Sequence, residues 1–466
     1  MDRFFELVSD VFGTFGAAFF VPVMIFIVAK FMGVSTRKSI NSALLCAVGL
    51  TGFNLVIGSY MGVIAPVVTQ MVENAGINLP VLDTGWQATA VIAYSTTIGI
   101  AFFGIAIAIQ IILFFLKWTN VFMPSDLWNN YSFMVWGSML FLLTGNLWLA
   151  LLLMVIQNLF ILLFSEAMAN RWSTYYQYPN CCMTAPHHLE ALPFAVIMNV
   201  VLNKLRLNRI KLDAQTLQKK FGVMGEPMFI GLFIGALIAI IGYYDSLNQL
   251  ATWGIVTTAA ISTAAVMAVF PKVAGIFASA FQPLPEAYKA KLANNSKQSE
   301  GRIWYLSIND AAAYGEPNTL ITGILLIPIM LGLSFILPGN RTLPMADLVA
   351  LPYMVSVFIA VSNGNIVKSL IKGAIWFSFG LIIASQLAPA FTQVALEAGF
   401  EIPVVGMYII SFGIMAHPFI AGVFYAFWLG GPVVIVAVIA LYFVMHTLFR
   451  RNRETIVSFI EKNALT

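Results

Sequence analysis

Long apolar runs follow one another along almost the whole chain, and this pattern limits the fold more than any other feature. A helix rises about 1.5 Å per residue, so about 20 apolar residues cross the hydrocarbon of a bilayer. Of the 466 residues, 60% are hydrophobic and 9% are charged, which is too little charge to cover a soluble domain of this size. The sequence therefore predicts an all-α, polytopic membrane protein embedded in the lipid bilayer.

Counting apolar runs with few charges predicts about eleven transmembrane helices. They lie near Val11–Phe31, Ile40–Val68, Ala88–Leu116, Phe133–Phe164, Leu189–Leu205, Pro227–Tyr243, Leu250–Ala274, Thr319–Leu337, Leu348–Ala384, Val404–Phe427 and Pro432–Phe449. The loops rich in Lys and Arg are 30–38, 204–220, 289–302 and 450–453. Because basic loops stay in the cytoplasm, the N-terminus is predicted outside and the C-terminus in the cytoplasm.

The chain repeats its organisation at an offset of about 220 residues. One long run is interrupted at Thr144-Gly145-Asn146 and a later one at Asn363-Gly364-Asn365. A single such break is an ordinary kink, but a matched pair favours an inverted repeat, in which transporters hold solute near mid-membrane between broken helices. The predicted units are a first repeat at 1–206, a cytoplasmic amphipathic connector at 207–226, an inverted second repeat at 227–429, and a closing helix with a basic tail at 430–466.

Ionisable side chains at membrane depth are rare here, and each needs a physical reason because a charge in hydrocarbon costs at least a few kcal/mol. Those predicted to lie there are Asp83, His187, His188, Glu190, Asp310 and Glu316, with Asn318 beside Glu316. Each acid stands near a helix start or a Gly or Pro break, which favours re-entrant structure. Carboxylates accept hydrogen bonds from hydroxyl groups, and Trp86 and Tyr314 offer flat faces to the C–H side of a sugar or polyol.

Structural interpretations of the same residues stay open. Asp83 also fits an interfacial position after an uncharged external loop, and a histidine at a helix start is often structural. His417 and His446 are interpreted as structural. The three cysteines, Cys46, Cys181 and Cys182, have no matching ligand set, so no metal is predicted.

Several function classes are excluded by what the chain does not contain. It has no phosphate-binding Walker loop, no Gly-rich dinucleotide turn and no metalloprotease motif, so no cofactor is predicted. The net charge is only +4 and the basic residues are dispersed, which disfavours nucleic acid. The residues alone therefore predict a transporter of a small polar solute, with its energy source open.

Several stretches closely resemble the galactitol-type enzyme IIC of the bacterial phosphoenolpyruvate-dependent phosphotransferase system. They are 208–227 in the connector, Asp83-Thr-Gly-Trp86, Pro186-His187, Phe270-Pro271-Lys272, 338–347 and Gly364-Asn365. The resemblance spans nearly the whole chain and implies a bacterial inner-membrane protein. It also implies the fold of the ascorbate-type enzyme IIC, in which a core domain moves against a scaffold domain like an elevator, often in a homodimer.

The resemblance further implies that a polyol such as galactitol enters from outside and is phosphorylated at the cytoplasmic face. The phosphoryl donor would be a phosphocysteine on a separate enzyme IIB, supplied in turn by enzyme IIA, with no phosphorylated residue in this chain. The implied site comprises the Asp83–Gln87 tip with Gly85 and Trp86, the His187–His188 pair and Asp310. Asp310 or His187 would orient the attacking hydroxyl. His188 departs from the family pattern, in which Gly follows the histidine.

Two other transport mechanisms compete with this prediction. An ion-coupled secondary transporter would use the same intramembrane carboxylates. A channel is disfavoured because matched broken helices with carboxylates suggest an occluded site.

Overall fold

The computed structural model describes residues 22–23, 25–27, 29–30, 33–75, 79–123, 127–280, 283, 303–308, 311–400, 402 and 406–466. The described chain is mostly helical. Its helices are α1 (Thr36–Ala75), α2 (Trp86–Ser95), α3 (Thr97–Phe115), α4 (Leu127–Thr144), α5 (Leu147–Tyr175), α6 (Pro186–Leu189), α7 (Leu192–Lys204), α8 (Ala214–Phe221), α9 (Pro227–Gly242), α10 (Leu250–Ser279), α11 (Ala311–Tyr314), α12 (Pro317–Ile336), α13 (Leu351–Met354), α14 (Ser356–Val361), α15 (Ile366–Glu397), α16 (Phe412–Met415), α17 (Pro418–Trp428), α18 (Gly431–Arg451) and α19 (Arg453–Leu465).

Within the described residues, 6 helical segments are long and apolar enough to cross a membrane. They are Thr97–Phe115, Leu147–Tyr175, Leu250–Val269, Pro317–Ile336, Ile366–Glu397 and Gly431–Arg451. Shorter apolar helices accompany them at Gly231–Gly242 and Pro418–Trp428. The chain is therefore a multi-pass membrane protein. Most of the predicted first span, Val11–Phe31, lies outside the described residues.

Two of the predicted spans do not form one continuous helix long enough to cross the membrane. The run Leu189–Leu205 contains α7, which has 13 residues, and the run Val404–Phe427 contains α17, which has 11. At 1.5 Å per residue these helices are about 20 Å and 16 Å long, which is short of the roughly 30 Å hydrocarbon core. A proline in the first turn of each helix ends the preceding segment, so a short helix and a turn stand where one continuous helix was predicted.

The all-α prediction also omitted six short strands: β1 (Val81–Asp83), β2 (Val121–Phe122), β3 (Cys181–Cys182), β4 (Tyr305–Ser307), β5 (Thr342–Leu343) and β6 (Tyr408–Ile410). They form two parallel three-stranded sheets, in the orders β5-β1-β6 and β2-β4-β3. In the sheet β5-β1-β6, Val81 pairs with Thr342 and Tyr408. In the sheet β2-β4-β3, Tyr305 pairs with Val121. Sheet pairing supplies partners for backbone groups that hydrocarbon cannot solvate.

The strands are exchanged reciprocally between the two halves of the chain. β1 comes from the first half and lies between two strands of the second half, whereas β4 comes from the second half and lies between two strands of the first. Each half therefore completes a sheet of the other. The halves cannot separate without breaking both sheets, so they are held together as one unit.

Both predicted helix breaks are confirmed. α4 ends at Thr144 and α5 starts at Leu147, where the side chain of Asn146 accepts the backbone N–H of Leu149 at 3.1 Å. α14 ends at Val361 and α15 starts at Ile366, capped by Asn365.

The carbonyl groups freed at the end of α14 accept hydrogen bonds from buried basic side chains. Lys372 Nζ donates to the carbonyl of Phe358 at 3.0 Å, and Arg171 Nε donates to that of Ala360 at 2.8 Å. Cations are favourable at a helix C-terminus because the freed carbonyls carry partial negative charge. Arg171 also forms an ion pair with Glu461 of α19 at 3.1 Å, which docks the C-terminal helix onto this break.

The connector contains a helix that the sequence predicts to be capped by Asp213. α8 occupies Ala214–Phe221, and the Asp213 side chain accepts the backbone N–H of Thr216, which confirms the prediction. The N–H of Ala214 donates to Asn318 Oδ1 at 2.7 Å, and the N–H of Ile366 donates to the carbonyl of Leu212 at 2.8 Å. The connector is thus fastened to the first turns of α12 and α15.

Helices α1, α9 and α10 pack together as a group. Glycines allow the close approach: a Cβ at Gly235 would lie 2.5 Å from the carbonyl oxygen of Ala259, and one at Gly49 would lie 2.7 Å from Cβ of Phe277. Small residues at such contacts are typical of membrane helix packing. The sheets and broken helices lie outside this group.

Candidate functional site

The tip predicted at Asp83–Gln87 is the turn between β1 and α2. Gly85 has φ 78° and ψ −175°, a conformation that is essentially restricted to glycine, and it lets α2 start directly after the strand. The side chain of Trp86 is 49% exposed, and its carbonyl accepts the hydroxyl of Tyr131 at 3.0 Å. The side chain of Gln87 lies outside the described part of the structure. The tip therefore presents Trp86 as its available flat face, whereas Tyr314 is buried against Tyr353.

Asp83 is buried, and both of its carboxylate oxygens are engaged by the backbone. Oδ1 accepts the N–H groups of Gly85 and Phe412, each at 3.0 Å. Oδ2 accepts those of Met345 at 3.0 Å and Asp347 at 2.8 Å. Asp83 thus ties the end of β1 to residues of the other half of the chain. Its predicted contact with solute stays a prediction.

Asp347 lies beside Asp83 and was not among the predicted site residues, although it ends one of the stretches that carry the family resemblance. Its Oδ2 accepts the Ser411 hydroxyl at 2.6 Å and the Gly413 N–H at 2.8 Å. It also accepts the backbone N–H of Trp86, and its own backbone N–H donates to Asp83 Oδ2. The two carboxyl groups join the first residues of α2 and α16.

The predicted histidine pair lies on α6. His187 is half-buried, and its Nδ1 lies 3.3 Å from the hydroxyl of Ser132 on α4. His188 is fully buried, with Nδ1 3.4 Å from the hydroxyl of Ser356 on α14. The ring centroids of His187 and His188 are 4.2 Å apart, and the ring centroid of His417 lies 6.1 Å from that of His187. Imidazoles from both halves of the chain therefore converge.

Glu190 joins this cluster through His417, which the sequence interpretation treated as structural. Glu190 Oε1 lies 3.1 Å from Nδ1 of His417, and Oε2 accepts the backbone N–H of Ile420 at 2.9 Å. Nε2 of His417 lies 2.8 Å from the carbonyl of Gly413. A carbonyl only accepts, so Nε2 of His417 donates to Gly413. The buried Glu190 side chain thus contacts both His417 and the first turn of α17, and it connects α6 to the end of α16.

Glu316 and Asn318 occupy the start of α12. Glu316 caps the helix by accepting the N–H and hydroxyl of Thr319, each at 2.8 Å, and also accepts the amide of Asn318 at 2.6 Å. The Tyr176 hydroxyl lies 3.1 Å from that of Thr319 and donates to the carbonyl of Ser356 at 3.0 Å, next to His188. These two predicted residues therefore reach the histidine cluster only through intermediates. Asp310 lies outside the described residues.

Broken helices that end around a buried polar cluster, inside a chain of membrane-spanning helices, define a membrane transport protein. The comparisons with known proteins name its family. The chain matches the family described as "PTS system sugar-specific permease component" over residues 10–406. It belongs to this family, and is a sugar-specific permease component of the phosphotransferase system.

Curated relatives agree with this assignment. The chain is 28% identical over 387 residues to the "PTS system galactitol-specific EIIC component" of Escherichia coli (strain K12), covering 82% of this chain and 83% of the relative. It is 27% identical over 390 residues to a "Putative permease IIC component" of the same strain, covering 83% and 86%. Family membership favours a phosphotransferase permease over the ion-coupled alternative. Permease components of this system work with IIB and IIA subunits.

Proposed function

We propose that the solute is a sugar alcohol, galactitol or a close relative, bound beside Trp86 and His187. The observation that carries this proposal is the 28% identity to a galactitol-specific component over 82% of the chain. The site chemistry supports it: Trp86 offers a half-exposed flat face, and His187 offers a half-buried ring that can exchange hydrogen bonds with hydroxyl groups.

The proposed site residues divide by their access to a solute. Trp86 and His187 are accessible enough to contact it directly, and Gln87 and Asp310 are proposed to join them. The others are engaged in the protein and hold the site in shape: Asp83, Gly85, His188, Glu190, Glu316 and Asn318. A rigid support of this kind improves binding because less ordering is required when the solute enters.

The phosphoryl group comes, in this proposal, from a phosphocysteine on enzyme IIB at the cytoplasmic face, and His187 or Asp310 orients the attacking hydroxyl. The chain's own paired thiols are poorly suited to carry phosphate. Burial raises the pKa of Cys181 to about 12 and raises that of Cys182 as well. A thiol is a weak nucleophile when it stays protonated at neutral pH.

The architecture is proposed to be an inverted repeat, 1–206 and 227–429, joined by the connector 207–226 and followed by a closing helix and tail, 430–466. The reciprocal exchange of β1 and β4 supports this, since each is the central strand of a sheet built mainly by the other half. An elevator motion is proposed in which the sheets and broken helices move as a core against the α1, α9 and α10 group, within a homodimer of eleven-helix subunits. The basic loops support an external N-terminus and a cytoplasmic C-terminus.

The identity of the solute is tested with membranes that contain the permease, to which enzyme IIA, enzyme IIB and phosphoenolpyruvate are added. A panel of labelled hexitols and pentitols is then supplied to these membranes. Galactitol or a stereochemical neighbour is expected to give the highest rate of phosphorylation, and membranes without the permease give none. A preference for an aldose or for ascorbate over every polyol in the panel would contradict the proposal.

A further inference from the structure

Arg171, near the end of α5, binds three separate parts of the chain with its guanidinium group. Its Nε donates to the carbonyl of Ala360 at 2.8 Å, and its Nη2 donates to Oδ1 of Asn363 at 2.6 Å. Its Nη1 donates to Oε2 of Glu461 at 3.1 Å. Because the Arg171 side chain is buried, the counter-charge of Glu461 offsets the cost of removing a cation from water. The planar group thus joins α5, the break after α14 and the C-terminal helix α19.

The break after α14 needs such support. Asn363 has a left-handed backbone conformation with φ 50°, which is uncommon for a residue with a side chain. The last carbonyl groups of a helix are not satisfied by the helix itself. Arg171 donates to the carbonyl of Ala360, and Lys372 donates to that of Phe358. The end of α14 is therefore held by basic side chains from α5 and α15.

The other end of α14 lies in the histidine cluster. Ser356 is its first residue, and the Ser356 hydroxyl lies 3.4 Å from Nδ1 of His188. The ring centroid of His188 is 4.2 Å from that of His187. α14 has only 6 residues, so it is about 9 Å long and shifts as one rigid piece. A displacement at its end therefore reaches Ser356 and the imidazole pair.

We propose that Arg171 is a positioning residue of the permease: with Glu461 as its counter-charge, it fixes α14 so that Ser356 holds His188, and with it His187, beside the solute. α19 packs against α5, α7 and α14, so the C-terminal helix acts on the site from outside it. The relevance to transport rests on the proposed contact between His187 and the solute.

The test is hydrogen exchange of the purified, full-length protein in detergent, measured by mass spectrometry without solute. Glu461→Ala removes the counter-charge and keeps a strong helix former in α19. Arg171 then keeps neutral acceptors but loses its ion pair, so its guanidinium is expected to turn toward water and release the end of α14. We expect amide exchange in α14 and α6 to become about fivefold faster, because local opening requires less free energy.

Two further variants complete the exchange measurement. Glu454→Ala removes an exposed carboxylate from the same helix and should exchange like the unmodified protein. Arg171→Lys keeps the charge but lacks the planar fork, so it should accelerate exchange in α14 as Glu461→Ala does. A role limited to docking α19 would accelerate exchange in α19 and α7 and leave α6 unchanged. That result, or unchanged exchange in α14 for Arg171→Lys, would overturn the proposal.

Phosphorylation kinetics with enzyme IIB and galactitol connect the exchange result to transport. Glu461→Ala is expected to lower kcat/KM by about fivefold, because the imidazole pair is less well placed, and Glu454→Ala should leave it unchanged. An unchanged kcat/KM for Glu461→Ala would overturn the proposal. If the unmodified permease phosphorylates no polyol, the proposed solute is wrong, and exchange in α14 and α6 still decides whether Arg171 positions the histidine pair.

Discussion

Side chains in the site differ in how deeply they are buried. Glu190 is saturated by His417 and the N–H of Ile420, whereas His187 lies 3.3 Å from one hydroxyl and remains partly exposed beside the cluster. A buried carboxyl group stabilises helix ends, and a partly exposed imidazole ring can contact a guest. This difference separates the residues that shape the site from those proposed to touch solute.

His187→Ala is expected to weaken binding of galactitol by about tenfold, equivalent to about 1.4 kcal/mol, because a ring that can bond hydroxyl groups is removed. Ser132→Ala removes only a 3.3 Å contact to the same ring and should weaken binding by about fivefold or less. Isothermal titration calorimetry of the purified proteins measures the dissociation constant of galactitol for both variants. Unchanged affinity for His187→Ala, with normal protein yield, would remove His187 from the site.

Glu190→Gln is expected to destabilise the fold by about 2 kcal/mol, because an amide replaces one of the two buried oxygens that contact His417 and the N–H of Ile420. Glu397→Gln is the matched control, since Glu397 is exposed and accepts only from Gln393 in the described structure; its effect should stay within about 0.5 kcal/mol. Thermal unfolding in detergent reports the difference. Equal melting temperatures for the two variants would contradict a role for the Glu190–His417 pair in stability.

At the scale of helices, close packing places α15 against the turn between α16 and α17. A Cβ at Gly380 would lie 2.5 Å from the carbonyl oxygen of Ala416, next to His417. Gly380→Ala should therefore destabilise the protein by about 1–3 kcal/mol and impair uptake. Gly332→Ala on α12 meets nothing within 4 Å and should be neutral or slightly stabilising. If both variants unfold at the same temperature as the unmodified protein, the packing described for Gly380 is wrong.

The sequence predicted elements whose signals are local and missed those whose partners are distant. The break at Thr144–Asn146, the cap at Asp213 and the break at Asn363–Asn365 follow from residue types that end or start helices, and each is confirmed. The strands have two or three residues and pair with strands more than about 100 residues away along the chain, so they leave no periodic pattern. For the same reason the sequence did not single out Asp347 and did not pair His417 with Glu190, because these contacts join the two halves of the chain.

On the scale of the molecule, the exchanged strands unite the two halves, while α1, α9 and α10 pack mainly against one another and also contact α11 and α12. This division is the physical basis of the proposed elevator motion, because a core that is interlocked can shift as one body. Coupling transport to phosphorylation then needs no ion gradient. The solute is released inside as a charged phosphate ester that the bilayer retains.

The central claim is tested most directly by uptake of labelled galactitol into sealed right-side-out vesicles. These vesicles are loaded with phosphoenolpyruvate and the soluble partner enzymes. The account predicts that the accumulated label is entirely galactitol phosphate and that omitting enzyme IIB abolishes accumulation. Accumulation of unmodified galactitol driven by an ion gradient alone, without phosphoenolpyruvate, would contradict it.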